Sequence, residues 1–171
     1  DLKSPWVSPT INVFFFYFAG YSNTTGDFNN FIGYKAGFSN KDGGFNDIIG
    51  HGAALSDTSP DFSIIMGYEA AKNAEDNFQA VILGPQAAKE SKLNSGCILI
   101  GDMAGYYTQL NEHSLMFGVN AGGSVDTSYY DIFIGENAGE NIDNSILNVL
   151  IGPNAGRNLS YGNYNVMVGG H

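Results

Sequence analysis

Carboxylates are the most frequent side chains in this sequence that could perform acid–base chemistry. The 171 residues include 17 Asp and Glu against 7 Lys and Arg, and Glu75, Asp76 and Glu90 fall close to Lys92. Because a glycosidase needs two carboxyl groups about 5 to 9 Å apart, such a group is a candidate for polysaccharide cleavage. No repeated Asp-x-Asp pattern of a calcium-binding roll occurs. We therefore interpret most of the carboxylates as solvated surface.

Histidine and cysteine give no sign of a metal or redox centre. His51, His113 and His171 stand at unrelated positions of the repeat described below, so they cannot line up as ligands. Cys97 is the only cysteine, which excludes an intrachain disulfide and a thiolate metal cluster. We expect Cys97 to be a small buried residue. We predict neither a metal site nor a cofactor.

Three tyrosines are the candidate ligand-binding residues. Tyr106, Tyr107 and Tyr129 interrupt the repeat, whereas Tyr130 shares its position with Phe28 and other aromatic residues and is expected to belong to a stack. An exposed tyrosine offers a flat apolar face and a hydroxyl group, which suits contacts with sugars or proteins. We expect these three side chains to contact a host or prey receptor, such as a glycan.

The charge balance and the apolar runs exclude two classes of partner. A formal net charge of −10 at pH 7 disfavours binding to a phosphate backbone, so we predict no nucleic-acid partner. The longest apolar run, from Val13 to Ala19, is far too short to cross a bilayer. We therefore predict no membrane insertion.

A glycine returns every 17 residues from Gly33 to Gly169, and a decayed copy with Ala19 and Gly20 precedes them. The two residues before this glycine are apolar in all nine copies, and Ala stands three residues after it in eight. A fixed period of this kind is typical of stacked coils. Because glycine reaches positive φ without a Cβ penalty, it marks a repeated corner after a strand. The sequence predicts an all-β fold, a β-solenoid or β-roll of nine to ten 17-residue coils over residues 13–171.

The strand before each glycine is apolar on both faces, because successive side chains of a strand point to opposite sides. We expect the residue directly before the glycine, such as Ile32, to face the core of its own coil. The residue two before it should then face a partner chain, since an uninterrupted exposed apolar stripe is unusual in a monomer. These nine residues, the seam column, are predicted to form the contact of a homotrimer: Phe31, Ile48, Ile65, Ile82, Leu99, Met116, Phe133, Leu150 and Met167.

The N-terminal segment departs from the repeat. Residues 1–12 contain Trp6 and two prolines and precede a cluster of aromatic residues. Repeat proteins need a cap over the open end of the stack. We predict that residues 1–12 form such a cap or a joint to a neighbouring module. Because the sequence starts at Asp1 rather than Met, we expect it to be a segment of a longer protein.

The repeats carry a resemblance to a known group of proteins. The run "AGYSNTTGDFNNFIGYKAGFSN" and the later "DIFIGENAGENIDNSILNVLIGPNAGRN" resemble the repeat regions of bacteriophage tail fibres and bacterial surface fibres, which often precede an endosialidase-type self-cleaving chaperone. They are also similar to the β-roll heads of trimeric autotransporter adhesins. The resemblance covers about residues 13–171. It implies a non-enzymatic homotrimeric fibre or adhesin segment, extracellular at a cell surface or on a virion, that presents a rigid surface for host, prey or glycan recognition.

Two hypotheses of enzymatic function stand as alternatives. "IGENAG" and "IGPNAG" are similar to the hexapeptide repeats of left-handed β-helix acyltransferases, although that fold needs three such hexads per coil and this sequence has one. The other alternative is a polysaccharide-degrading fibre that uses paired carboxylates.

Overall fold

The structure is a computed structural model that describes residues 11–159 and 161–170. Of the predicted cap or joint at residues 1–12, only Ile11 and Asn12 belong to the described part, and Trp6 lies outside it. His171 also lies outside the described residues.

The described chain is built of sixteen short strands connected by turns. They are β1 (Val13–Phe15), β2 (Asn30–Ile32), β3 (Asp47–Ile49), β4 (Ile64–Met66), β5 (Asp76–Phe78), β6 (Val81–Leu83), β7 (Leu93–Ser95), β8 (Ile98–Ile100), β9 (Leu110–Glu112), β10 (Leu115–Phe117), β11 (Val125–Tyr129), β12 (Ile132–Ile134), β13 (Ile142–Ile146), β14 (Val149–Ile151), β15 (Tyr161–Asn163) and β16 (Val166–Val168).

The strands form two parallel sheets. The ten-stranded sheet has the order β1-β2-β3-β4-β6-β8-β10-β12-β14-β16, and the six-stranded sheet has the order β15-β13-β11-β9-β7-β5. Each residue pairs with the residue one repeat away, as Phe31 does with Ile48. This arrangement confirms the predicted all-β solenoid with 17-residue coils. The second strand of the later coils was not predicted, because its residues are largely polar.

The repeated glycines form the corner after nine of the ten strands of the ten-stranded sheet, and β1 is followed instead by Phe16, which also has a positive φ. Gly84 has a φ of +140°, and a Cβ built on it would lie 2.4 Å from the carbonyl oxygen of Gly101 in the next coil. Both the backbone conformation and the close approach of the next coil therefore require glycine. The predicted corner is confirmed.

The seam column lies in the core of its own chain, not at a partner contact. Phe31, Ile48 and Ile65 have no exposed surface, the same holds for the next five members, and Met167 packs partly buried against the core. Ile32 and its equivalents, expected in the core, lie on the opposite side of the strand and are partly exposed. The predicted assignment of the two strand faces is therefore reversed. The residue two before the glycine faces the core, and the residue directly before the glycine faces outward. The prediction that the seam column contacts another subunit is wrong, because a side chain buried by its own coil has no surface left for a partner.

The small residues that follow the corner pack against the seam column. Ala36 and its equivalents are buried, and the next position is glycine or alanine throughout. A Cβ added to Gly37 would lie 2.9 Å from the Phe31 ring. The close approach predicted from these small residues is confirmed, and the surface that they approach is the apolar column across the coil.

A ladder of buried polar side chains, which the sequence analysis missed, runs beside the apolar column. Asn46 Oδ1 accepts the main-chain N–H of Ser63 at 2.9 Å, and Asn148 Oδ1 accepts that of Asn165 at 2.9 Å. In the same way, the main-chain N–H of Asn148 donates to Asp131 Oδ1 at 2.8 Å. Each side chain satisfies the backbone of the next coil, so the polar half of the interior ties neighbouring coils together.

The first coils replace the second strand with a tight turn. Asn23 Nδ2 donates to the carbonyl of Gly26 at 2.9 Å, and Asn40 Nδ2 donates to that of Gly43 at 3.1 Å. Asparagine favours such turns because its side chain mimics the backbone. The coils are therefore of two types, and the change falls where β5 begins.

Candidate functional site

The exposed side of the ten-stranded sheet is a continuous apolar surface, here called the outer face. It consists of the first and third residues of each strand, whose side chains point away from the core. Its members are Val13, Phe15, Ile32, Ile49, Ile64, Met66, Val81, Leu83, Ile98, Ile100, Leu115, Phe117, Ile132, Ile134, Val149, Ile151, Val166 and Val168. With ten strands at the usual spacing, this face is about 43 Å long.

Polar residues are few on the outer face. Among the described strand residues of this sheet, Asn30 and Asp47 are the exceptions, and they pair with each other through a hydrogen bond of 2.6 Å from Asn30 Nδ2 to Asp47 Oδ1. Elsewhere the apolar side chains are partly exposed, and seven of them are exposed, including Ile98 at 41% and Phe117 at 50%. An apolar surface of this extent usually marks an interaction site.

Aromatic ladders flank the outer face in the first coils. On one edge the rings of Phe28, Phe45 and Phe62 stack at centroid distances of 4.9 and 5.0 Å. The predicted aromatic stack is confirmed for these residues and for Tyr130, which stacks at 5.0 Å on His113, the residue at the same position one repeat earlier. The edges therefore extend the apolar surface around the corner of the coil.

The opposite edge carries a second ladder. His51 stacks between Tyr34 and Tyr68 at centroid distances of 5.1 and 5.5 Å, and Tyr17 continues the row. In the later coils the equivalent positions are Pro85, Asp102, Val119 and Glu136. This second ladder is thus confined to the N-terminal half of the solenoid.

The three predicted ligand-binding tyrosines lie on two different sides of the coil. Tyr106 and Tyr107 belong to the turn after β8, where Lys89 Nζ lies 6.0 Å from the centre of the Tyr106 ring and Tyr107 is 49% exposed. Tyr129 is the last residue of β11 and pairs with Glu112. The structure does not bring the three tyrosines together as one site.

A group of three ion-paired residues lies in the turns that follow β4 and β6. Glu69 binds Lys72 Nζ at 2.7 Å and Lys89 Nζ at 2.8 Å. Hydrogen bonds from these lysines lower the pKa of Glu69 to about 2. Because Glu69 stays ionised and is saturated by two cations, it is a structural link between two coils and not an acid–base catalyst.

The carboxylates singled out by the sequence have different surroundings. Glu90 accepts hydrogen bonds of 2.9 and 3.0 Å from Asn73 Nδ2, whereas Asp76 begins β5. Glu75 and Asp76 each donate a main-chain N–H to the carbonyl of Lys92. These backbone contacts hold adjacent coils together.

Cys97 lies in the core, and His51 and His113 are stacked against tyrosine rings. Cys97 is fully buried in the polar ladder position, and burial raises the pKa of its thiol to about 12. No group of three or more His, Cys, Asp or Glu that could hold a metal ion occurs in residues 11–159 and 161–170. Within the same ranges, no helix is long and apolar enough to cross a membrane.

Comparison of the chain with protein-family models, with curated proteins and with solved structures finds no match.

Proposed function

We propose that this chain is a non-enzymatic segment of a trimeric fibre or adhesin, which acts outside the cell on a cell surface or a virion. The observation that carries the proposal is the outer face, an apolar surface along all ten strands of one sheet. A parallel sheet with one face on the core and an equally apolar second face is typically covered on both sides. The trimer contact is therefore reassigned from the seam column to the outer face.

A second and a third copy of the same chain are the occupants that suit this surface. The outer face repeats every 17 residues, so a partner must present apolar side chains with the same spacing along its whole length. An identical solenoid lying alongside meets this requirement, and closed symmetry around a common axis leaves no outer face uncovered. A trimer is also the state that the resemblance to fibre and adhesin repeats implies.

Rigid presentation supports a recognition role. The turns that follow the strands of the ten-stranded sheet carry residues that vary between repeats, including Tyr106 and Tyr107. Their backbone is fixed by hydrogen bonds to adjacent coils, such as that of 3.0 Å from the Tyr107 N–H to the Gly123 carbonyl. A stack of this kind holds variable side chains in fixed positions for a host, prey or glycan surface.

Sedimentation equilibrium of the purified chain tests the proposal. We expect a mass three times that of the chain, and dissociation when Ile98 on the outer face is replaced by Arg, because the charge would be buried at the contact. The matched control is Leu93→Arg, which alters a side chain of similar exposure (40% against 41%) on the six-stranded sheet.

The control should remain trimeric. A monomeric unaltered chain would overturn the proposal. Trimers that persist in Ile98→Arg but dissociate in Leu93→Arg would show that the six-stranded sheet, not the outer face, forms the contact.

A further inference from the structure

A cleft of about 280 Å³ lies on the outward side of the six-stranded sheet, across β5, β7 and β9. Its walls are formed by Asp76, Phe78, Leu93, Ser95, Leu110 and Glu112. The strand register puts Phe78, Ser95 and Glu112 in one row, and Asp76, Leu93 and Leu110 in the next. The cleft is therefore a product of stacking, because its residues come from three successive coils.

The cleft exists because Ser95 is small. It lies between Phe78 on one neighbouring strand and Glu112 on the other, so the two larger side chains stand as walls on either side of a gap. Phe78 is held edge-on against Phe62, with ring centroids 6.4 Å apart and an interplanar angle of 86°. Phe78 and Leu93 are 42% and 40% exposed, which leaves an apolar surface open to a ligand.

The charge of the cleft is one-sided. Among the described residues that line it, Asp76 and Glu112 are carboxylates and none is cationic. Asp76 lies on β5 and Glu112 on β9, and β7 runs between these two strands. The two strands are therefore about 10 Å apart along the stack. Burial, with a further contribution from the Asp61 carboxylate, raises the pKa of Asp76. A bound cation would favour the ionised carboxylates and so offset the raised pKa, whereas an anionic ligand would add to the repulsion.

The backbone of the cleft is not free to bind a peptide by strand addition. β7 is paired with β5 on one side and with β9 on the other, so its N–H and C=O groups are already used. Recognition must therefore proceed through side chains: an apolar wall, a hydroxyl group and two carboxylates. This set suits a ligand with an apolar ring face, hydroxyl groups and a positive charge.

We propose that the cleft binds a saccharide that carries a free, protonated amino group, with the ring against Phe78 and Leu93 and the amine at Glu112 or Asp76. This proposal depends on the recognition role proposed above and gives it a site and a ligand class. Tyr129 pairs with Glu112 on the next strand and lies where a longer oligosaccharide would continue. The site was not predicted, since its residues are contiguous only after the coils stack.

Calorimetric titration with a hexamer of β-1,4-linked glucosamine tests the proposal, with the fully N-acetylated hexamer as the comparison. The two probes share their rings and linkage and differ at the nitrogen, which is a protonatable amine in one and a neutral acetamide in the other. We expect the free-amine hexamer to bind at least about tenfold more tightly. Equal binding of both probes, or binding of neither, would overturn the proposal, as would equally tight binding of trilysine.

Substitutions inside and outside the cleft test whether the hexamer binds there. Glu112→Gln should weaken binding of the free-amine hexamer about tenfold and Leu93→Arg should abolish it, because an arginine in the cleft repels the amine. Glu90→Gln, which removes a carboxylate outside the cleft, should leave the affinity unchanged. If Glu112→Gln and Glu90→Gln bind alike, the site is not this cleft.

Sedimentation of the same samples separates the two proposals. A trimer that does not bind the hexamer contradicts the cleft alone. A monomer that does bind it contradicts the trimer and leaves the cleft supported.

Discussion

The Cβ that Gly139 lacks would lie 2.7 Å from the ring of Phe133, the core residue of the same coil. The same relation holds across the stack. Glycine faces each core residue that is unbranched at Cβ, whereas alanine faces the β-branched isoleucines. The residues that face glycine are Phe31, Leu99, Met116, Phe133 and Leu150. The alanine pairs are Ala54 with Ile48, Ala71 with Ile65 and Ala88 with Ile82. A side chain that is unbranched at Cβ reaches farther across the coil than isoleucine does, so the residue opposite it must be smaller if the two positions are to share the available volume.

We predict that Gly139→Ala lowers the free energy of unfolding by about 2 to 4 kcal/mol, through overpacking and through a positive φ. Adding Phe133→Ile should recover part of this loss, since it reproduces the natural Ile65 and Ala71 pair. Denaturant unfolding of both single variants and the double variant measures the coupling. Additive effects would contradict the volume relation.

We predict that Gly84→Ala is severely destabilising, by about 3 kcal/mol or more, because the new Cβ would lie 2.4 Å from the Gly101 carbonyl oxygen. The matched control is Gly169→Ala. Gly169 has a similar φ of +131° but no atom within 4 Å of the built Cβ. Thermal unfolding should show a much smaller effect there, about 1 kcal/mol, due to the backbone alone. Equal effects would mean that the contact between corners contributes nothing.

We predict that Asn148→Ala costs about 2 to 3 kcal/mol, since it removes the acceptor of the part-buried Asn165 N–H and the amide donor to the buried Gly162 carbonyl. Asn111 has the same burial, but neither atom of its side-chain amide has a hydrogen-bond partner. Asn111→Ala should therefore cost less than about 1 kcal/mol. Chemical denaturation of the two variants compares them. A larger loss at position 111 would show that the ladder is not a source of stability.

We predict that stability falls as the pH rises from about 4 to 7. Burial raises the pKa of Asp57 from 3.8 to about 7, although Asn77 and Ser59 donate hydrogen bonds to it. Because the folded pKa lies above the unfolded one, the stabilisation is complete below about pH 4 and is lost as Asp57 ionises. A shift of this size corresponds to about 4 kcal/mol.

Asp57→Asn tests this pH dependence. Asparagine occupies the equivalent position in the two preceding coils, at Asn23 and Asn40, so the substitution suits the site. Urea unfolding at pH 4, 6 and 8 should show a flatter profile for the variant and a gain in stability at pH 8. An unchanged slope would assign the pH dependence to another group.

The sequence alone determined the architecture. The repeated glycine fixed the corner and the period, since no residue with a Cβ fits Gly84. The sequence also carries a signal of which face of the strand is exposed. Asn30 and Asp47 interrupt the apolar pattern on one side of the strand, whereas the seam column is apolar in every copy. A polar residue is tolerated more readily towards solvent, so those two residues indicated the outer face.

Only the tertiary structure decided which face of the strand is buried and where a ligand could bind. Both faces of the strand are apolar, so alternation alone does not assign the core. The assignment follows from packing, because the small residues at Ala36 and Gly37 close the coil over Phe31 and leave Ile32 outside. The cleft between Phe78 and Glu112 has the same origin. These residues are 34 positions apart in the sequence and become neighbours across Ser95 only when successive coils stack in register.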